Sequence, residues 1–138
     1  VVITSYTILV GEWPKLSHEE EEEAIYANSL IRRRAGAMFR YNWYRVVLDE
    51  AHTIKNRLTR ASRSCRCLLA DYRWCLTGTP IQNKVDDLYS LVRFLRIDPY
   101  QDYGSFKRSF TFVENNGRSM KSLRAFLLMI CLRRFKDR

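Results

Sequence analysis

The stretch WYRVVLDEAHTIKN, residues 43–56, decides how the chain folds. Its segment YRVVLDE reads as a short, continuously apolar strand of the kind buried on both faces in a parallel sheet, and it ends in two acids. Asp49, Glu50 and, one residue on, His52 therefore fall at a strand's carboxyl end. In open α/β sheets, loops and helix N-termini converge at that edge, and ligands bind in the crevice there.

Working outward, the pattern repeats. Residues 58–69 fit a helix whose inner face carries Ala61, Cys65 and Leu68, and YRWCLTGTP supplies another strand that breaks at Gly78 and Pro80. Beyond it, VDDLYSLVRFLRI places Leu88, Leu91, Val92 and Leu95 at helical spacing, with Asp98-Pro99 as the stop. Further helices are expected around Tyr103 to Phe110 and Met120 to Arg134, separated by the turn-like ENNG. Upstream, VVITSYTILV is rich in β-branched residues and reads as a first strand. Residues 17–35 look like one acidic-to-basic helix, opened by the capping box of Ser17 and Glu20 and closed by Arg32, Arg33 and Arg34 before Gly36. The acids from Glu19 to Glu23 suit a solvated helix start better than an interaction tail. Alternating strands and helices give an α/β class with a mostly parallel sheet flanked by helices and a helical C-terminal part.

The bulk properties narrow the function. A chain of 138 residues with 46% hydrophobic residues makes about one domain with a core of its own. Its net charge of +9 is carried mostly by arginine, which forks onto phosphates, although basic balance alone is shared by many unrelated classes. Cys65, Cys67, Cys75 and Cys131 lack zinc-site spacing and read as core thiols in a reducing compartment. No signal peptide and no apolar run of about 20 residues is present, so neither export nor a membrane is expected. Arg57, Arg60, Arg63 and Arg66 recur every third residue, a stripe read as solvated in preference to phosphate-binding. The aromatics Trp43, Trp74, Tyr89, Phe94 and Phe126 read as core.

An aspartate closing an apolar strand and followed by glutamate is the Walker-B arrangement. The first acid holds magnesium, usually through water, and the second orients or deprotonates an attacking water. A surface loop can carry such a pair by chance. The second strand end weighs against chance, because LTGTPIQN sets Thr77, Gly78, Thr79, Gln82 and Asn83 after another buried strand, with hydroxyls and amides free to hydrogen-bond.

VVLDEAH and LTGTPIQN, in this order, resemble motifs II and III of the Swi/Snf-type DNA translocases, a branch of the helicase-like ATPases. VVITSY is similar to motif Ib of the same lobe, and CLRRFKDR to the segment that closes it. WYRVVLDEAHTIKN together with YRWCLTGTPIQN and LYSLVRFLRI is most similar to the repair branch that carries an inserted RING finger. RNA helicases with a DEAH box usually carry Ser-Ala-Thr where this chain has TGTP, which favours the double-stranded-DNA translocases.

The resemblance implies a partial RecA-like lobe over residues 1–138, the N-terminal ATP-binding lobe from motif Ib to its end. It implies ATP and magnesium as cofactors, with Asp49 coordinating magnesium through water and Glu50 activating the hydrolytic water. His52 is expected to link that site to the TGTP loop through Thr77, Thr79 or Gln82, with Gly78 and Asn83 in the same coupling loop. Thr4 and Ser5 match positions that hold the backbone of double-stranded DNA, with Lys55 and Asn56 assisting. The implied setting is DNA repair or chromatin remodelling in the nucleus, with ubiquitin-pathway partners through a RING finger outside this chain.

No G-K-[ST] P-loop occurs in the 138 residues, so the phosphate cradle is missing. Residue 1 is read as a truncation point and the chain as a fragment of an active ATPase. The alternative is a non-catalytic DNA- or partner-binding module derived from one.

Overall fold

The computed structural model describes residues 1–24, 30–79, 81, 84–110 and 118–134. Its centre is a parallel pair of strands, β1 (Asn42–Leu48) and β2 (Leu69–Cys75), in register from Asn42 opposite Leu69 to Leu48 opposite Cys75. Parallel strands cannot be joined by a tight turn, and helix α3 (Arg60–Arg66) makes the crossover. Thr59 caps α3 by accepting a hydrogen bond from Ser62 N. Cys65 and Leu68 are buried and Ala61 packs beside them, as their spacing requires.

The expected first strand is a helix. Residues 1–5 carry no regular structure, and α1 (Tyr6–Glu12) begins where the Ser5 hydroxyl accepts from Ile8 N at 3.3 Å. A strand must satisfy its peptide groups on a neighbour, whereas a helix satisfies them itself. Tyr6, Leu9 and Trp13 also lie at helical spacing, and Leu9 and Trp13 are buried at 4% and 2% exposure. Their periodicity outweighs the β-branched composition. At the other end of α1, Arg60 of α3 donates to the carbonyls of Val10 and Trp13 and so closes the helix C-terminus.

The acidic-to-basic segment also departs from one continuous helix. Ser17 and Glu20 do form the reciprocal capping box, and α2 (His18–Glu23) follows. Residues 25–29 lie outside the described residues, and Leu30–Arg34 is a 3-10 turn. The run of acids is not wholly solvated, because Glu21 is buried and pairs with Arg63 at 2.5 Å. Arg32 is buried too, donating to the carbonyls of Phe39 and Cys67 at 2.9 Å each, where it serves the core rather than a helix dipole.

The arginine stripe is only partly solvated: Arg60 stays exposed, but the stripe makes contacts within the fold. Arg57 lies 4.2 Å from the Tyr103 ring, Arg60 and Arg63 have the partners just given, and Arg66 is buried. On β2, Arg73 donates to the Leu68 carbonyl and lies 5.0 Å from the Phe94 ring. Burial, helped by Arg96 and Arg32, pulls its guanidinium down to about 10.

Helices α4 (Val85–Leu95), α5 (Tyr103–Phe110) and α6 (Arg118–Ile130) complete the fold. Leu91 and Phe94 of α4 join the core beneath the sheet, while Leu88, Tyr89 and Val92 join a second cluster with Phe106, Phe110 and Phe126. Two apolar faces make α4 the hinge of the packing. It stops at Arg96, which takes a left-handed conformation at φ 57°, before the expected Asp98-Pro99. Helix α6 likewise ends at Ile130, short of Arg134, and ENNG lies outside the described residues.

Among the described residues only one face of the sheet is covered, contrary to the reading of a strand buried on both faces. Val46, Leu48 and Cys75 point into the core. The opposite face presents Arg45, Val47, Tyr72 and Trp74, with Val47 48% and Trp74 52% exposed. Trp74, expected in the core, instead lies 5.6 Å from the Arg45 guanidinium on that open face. Cys131 is exposed as well, while Cys65 and Cys67 are buried. Burial pushes the Cys65 and Cys75 thiols up to about 12, so both stay protonated at neutral pH. No helix among the described residues is long and apolar enough to cross a membrane.

Two outcomes follow from this packing. Arg63→Met should cost about 2 kcal/mol, at the low side for a buried pair because Arg63 keeps 29% exposure, and the double variant with Glu21→Leu should recover most of it. Urea unfolding of the two variants measures both. The open sheet face should make the isolated chain self-associate, and Val47→Thr with Trp74→Thr should reduce that association in sedimentation without lowering the unfolding midpoint.

Candidate active site at the carboxyl ends of the strands

Beyond Leu48 and Cys75 the ladder does not stop. Leu76 N donates to Leu48 O at 2.8 Å, and Ala51 N donates to Leu76 O at 2.9 Å. Both backbone groups of Leu76 thus join the DEAH segment to the TGTP segment. The two polar loops singled out in the sequence meet at one edge of the sheet.

Between those bonds the chain turns sharply. Glu50 takes a left-handed conformation at φ 47°, ψ 49°, which costs a residue with a Cβ about 1–2 kcal/mol. The conformation is held by its surroundings. Glu50 N donates to Asp49 Oδ1 at 2.9 Å, and Ala51 and Ile54 of the following 3-10 turn (Ala51–Ile54) are fully buried. The turn leaves the carboxylates of Asp49 and Glu50 in solvent and brings His52 Nδ1 to 3.2 Å from Glu50 Oε2. His52 carrying a proton on Nδ1 donates to that carboxylate.

In the second loop, Thr79 N donates to Thr77 Oγ1 at 3.2 Å, a small side-chain-closed turn. Gly78 lies between them with φ in the ordinary range and open space where a Cβ would stand, so the turn does not depend on glycine's conformational freedom. Pro80, Gln82 and Asn83 lie outside the described residues. The connection seen between the two loops is the Leu76 backbone bridge.

Lys55 and Asn56 follow the DEAH turn. The Lys55 carbonyl accepts from Ser90 Oγ at 2.8 Å, which ties the loop to α4. The Asn56 side-chain carbonyl accepts from Leu58 N, and its main-chain carbonyl from Thr59, a turn that launches α3. Thr4 is exposed and Ser5 caps α1, so both sit at the start of that helix. The next residue makes the contact that sequence reading missed. Tyr6 Oη donates to the carbonyl of Asp49 at 2.7 Å, across 43 positions. No local pattern marks such a bond.

The described residues hold no group of His, Cys, Asp and Glu large enough to enclose a metal ion. A magnesium ion shared with phosphates needs no such cage, because it keeps several waters and takes one or two carboxylates. The exposed Asp49 carboxylate suits that role.

A model of the SNF2-related domain matches residues 1–138. The chain belongs to the SNF2-related family. This SNF2-related chain is 43% identical over 143 residues to an uncharacterized ATP-dependent helicase of Schizosaccharomyces pombe, covering 99% of the chain and 14% of that protein. It is also 43% identical over 139 residues to the DNA repair protein RAD5A of Arabidopsis thaliana, covering 99% of the chain and 12% of the relative. The chain therefore spans a small part of the length of these relatives. Among solved structures it is similar to the Sulfolobus solfataricus SWI2/SNF2 ATPase core in complex with double-stranded DNA, at 34% identity and a TM-score of 0.65, over 78% of this chain and 24% of that one. The parallel pair with flanking helices is part of a RecA-like α/β fold.

The strain at Glu50 gives a direct test of what this SNF2-related turn is built for. Glu50→Gly should raise the chain's unfolding free energy in urea by about 0.5–1 kcal/mol, because glycine takes φ 47° without penalty, although it removes the carboxylate.

Proposed function

We propose that residues 1–138 form the motif Ib-to-end part of the first ATPase lobe of a double-stranded-DNA translocase acting in nuclear DNA repair. The observation that carries this reading is the Leu76 bridge, which joins the acid pair and the TGTP loop at one sheet edge. Relatives named as DNA repair proteins and a solved relative bound to double-stranded DNA support the setting.

In this reading Glu50 accepts the proton of the attacking water at a carboxylate oxygen, and His52 holds that carboxylate by donating from Nδ1. Asp49 is the residue that would hold magnesium, through water. When bound, magnesium neutralises charge on the nucleotide phosphates. The loop of Thr77, Gly78, Thr79, Gln82 and Asn83 senses the state of that site through Leu76. Thr4 and Ser5, assisted by Lys55 and Asn56, hold the DNA backbone with hydroxyls and amides, which fix register without reading bases. A non-catalytic binding module would have no use for a strained turn that presents Glu50 to solvent.

The purified 138-residue chain should not hydrolyse ATP, with or without DNA, since it contains no phosphate cradle. In the full-length protein, Glu50→Gln should leave ATP affinity within about twofold and lower kcat by about 10² to 10⁴. Turnover by the isolated chain, or equal loss of binding and turnover in the variant, would contradict the assignment.

A further inference from the structure

The peptide between Asp49 and Glu50 is held at both of its polar ends. Its carbonyl accepts from Tyr6 Oη at 2.7 Å, and its N–H donates to Asp49 Oδ1 at 2.9 Å. The orientation of this one peptide sets where a left-handed Glu50 starts, and so where its carboxylate points. Only the second bond is local. The first comes from α1, a helix fixed at its far end by Arg60 of α3.

Tyr6 is well suited to such a part. Its ring packs against the core beside Leu9 and Trp13, so the hydroxyl is delivered from a fixed base rather than from a free side chain. Tyr6 also follows Ser5 directly, so the segment assigned above to the DNA backbone and the segment assigned to water activation are one hydrogen bond apart.

We propose that Tyr6 is a positioning residue for Glu50, orienting the Asp49–Glu50 peptide through its hydroxyl and tying the place of the Glu50 carboxylate to the Thr4–Ser5 segment. This rests on the proposed role of Glu50. It adds a residue that acts through Glu50, and a route from the DNA-contacting segment to the chemistry that runs through a main-chain carbonyl.

Tyr6→Phe keeps the ring and removes only the donor. In the full-length protein at saturating DNA, it should lower kcat about tenfold, leaving the KM for ATP and the affinity for a double-stranded DNA probe within about twofold. In a Glu50→Gln background the same change should lower residual turnover no further, because Tyr6 acts through the group already lost. Hydrogen-exchange mass spectrometry gives a readout independent of turnover: exchange should quicken in the peptide spanning residues 47–52 and stay unchanged across residues 69–75. Unaltered exchange at residues 47–52, an unaltered kcat, or the same proportional loss in both backgrounds would overturn the proposal. If Glu50→Gln alone leaves turnover intact, the assignment of Glu50 fails instead, and the exchange result still decides whether Tyr6 orients the peptide.

Discussion

Everything at the functional edge hangs on the two backbone bonds of Leu76. Its N–H continues the parallel ladder from Leu48, and its carbonyl catches Ala51 after the chain has turned through Glu50. A ladder normally ends where its strands diverge. Here it is prolonged by one residue on β2 while β1 has already turned away, so one loop is sewn to the other by main-chain atoms that no substitution short of proline removes. A shift of the TGTP segment must therefore move the peptide that follows Glu50, or break a hydrogen bond worth about 1 kcal/mol net.

The helices make that edge rigid. Helix α4 faces two apolar clusters at once, one beneath the sheet and one with α5 and α6, and Ser90 on it holds the Lys55 carbonyl just past the DEAH turn. Helix α1 is held by Arg60 at one end and bonded to Asp49 through Tyr6 at the other. Arginine recurs in this framework: Arg32 bridges two carbonyls, Arg63 meets Glu21, and Arg73 lies in the interior against Phe94. Part of the chain's net charge of +9 is thus construction material rather than an electrostatic footprint for nucleic acid.

Two features run against stability. Glu50 occupies a conformation better suited to glycine, and the sheet leaves Val47, Tyr72 and Trp74 uncovered on one side. The first is local strain at a site of proposed chemistry, where such strain tends to gather. The second departs from the usual α/β arrangement, in which a β-sheet is packed on both faces. Stability and function draw apart at these places. Elsewhere local sequence, burial and hydrogen bonding agree.

The sequence by itself determined the parallel strand pair, the helices whose apolar residues recur at clear spacing, the capping box at Ser17, and the family. These are short-range patterns, each readable within a window of a dozen residues. It misjudged residues 1–10, where β-branched composition competed with the spacing of Tyr6, Leu9 and Trp13, and it placed Trp74 inside because alternation cannot say which face of a sheet will be covered. The arginines of the stripe were equally ambiguous, since their partners Glu21, Val10, Trp13 and Tyr103 are distant in the chain. Only the tertiary structure decided that Leu76 joins the two loops, that Glu50 is left-handed, and that Tyr6 reaches Asp49. Each of those depends on where a backbone carbonyl points after the whole sheet edge has assembled, and residue identity carries no record of a carbonyl's direction.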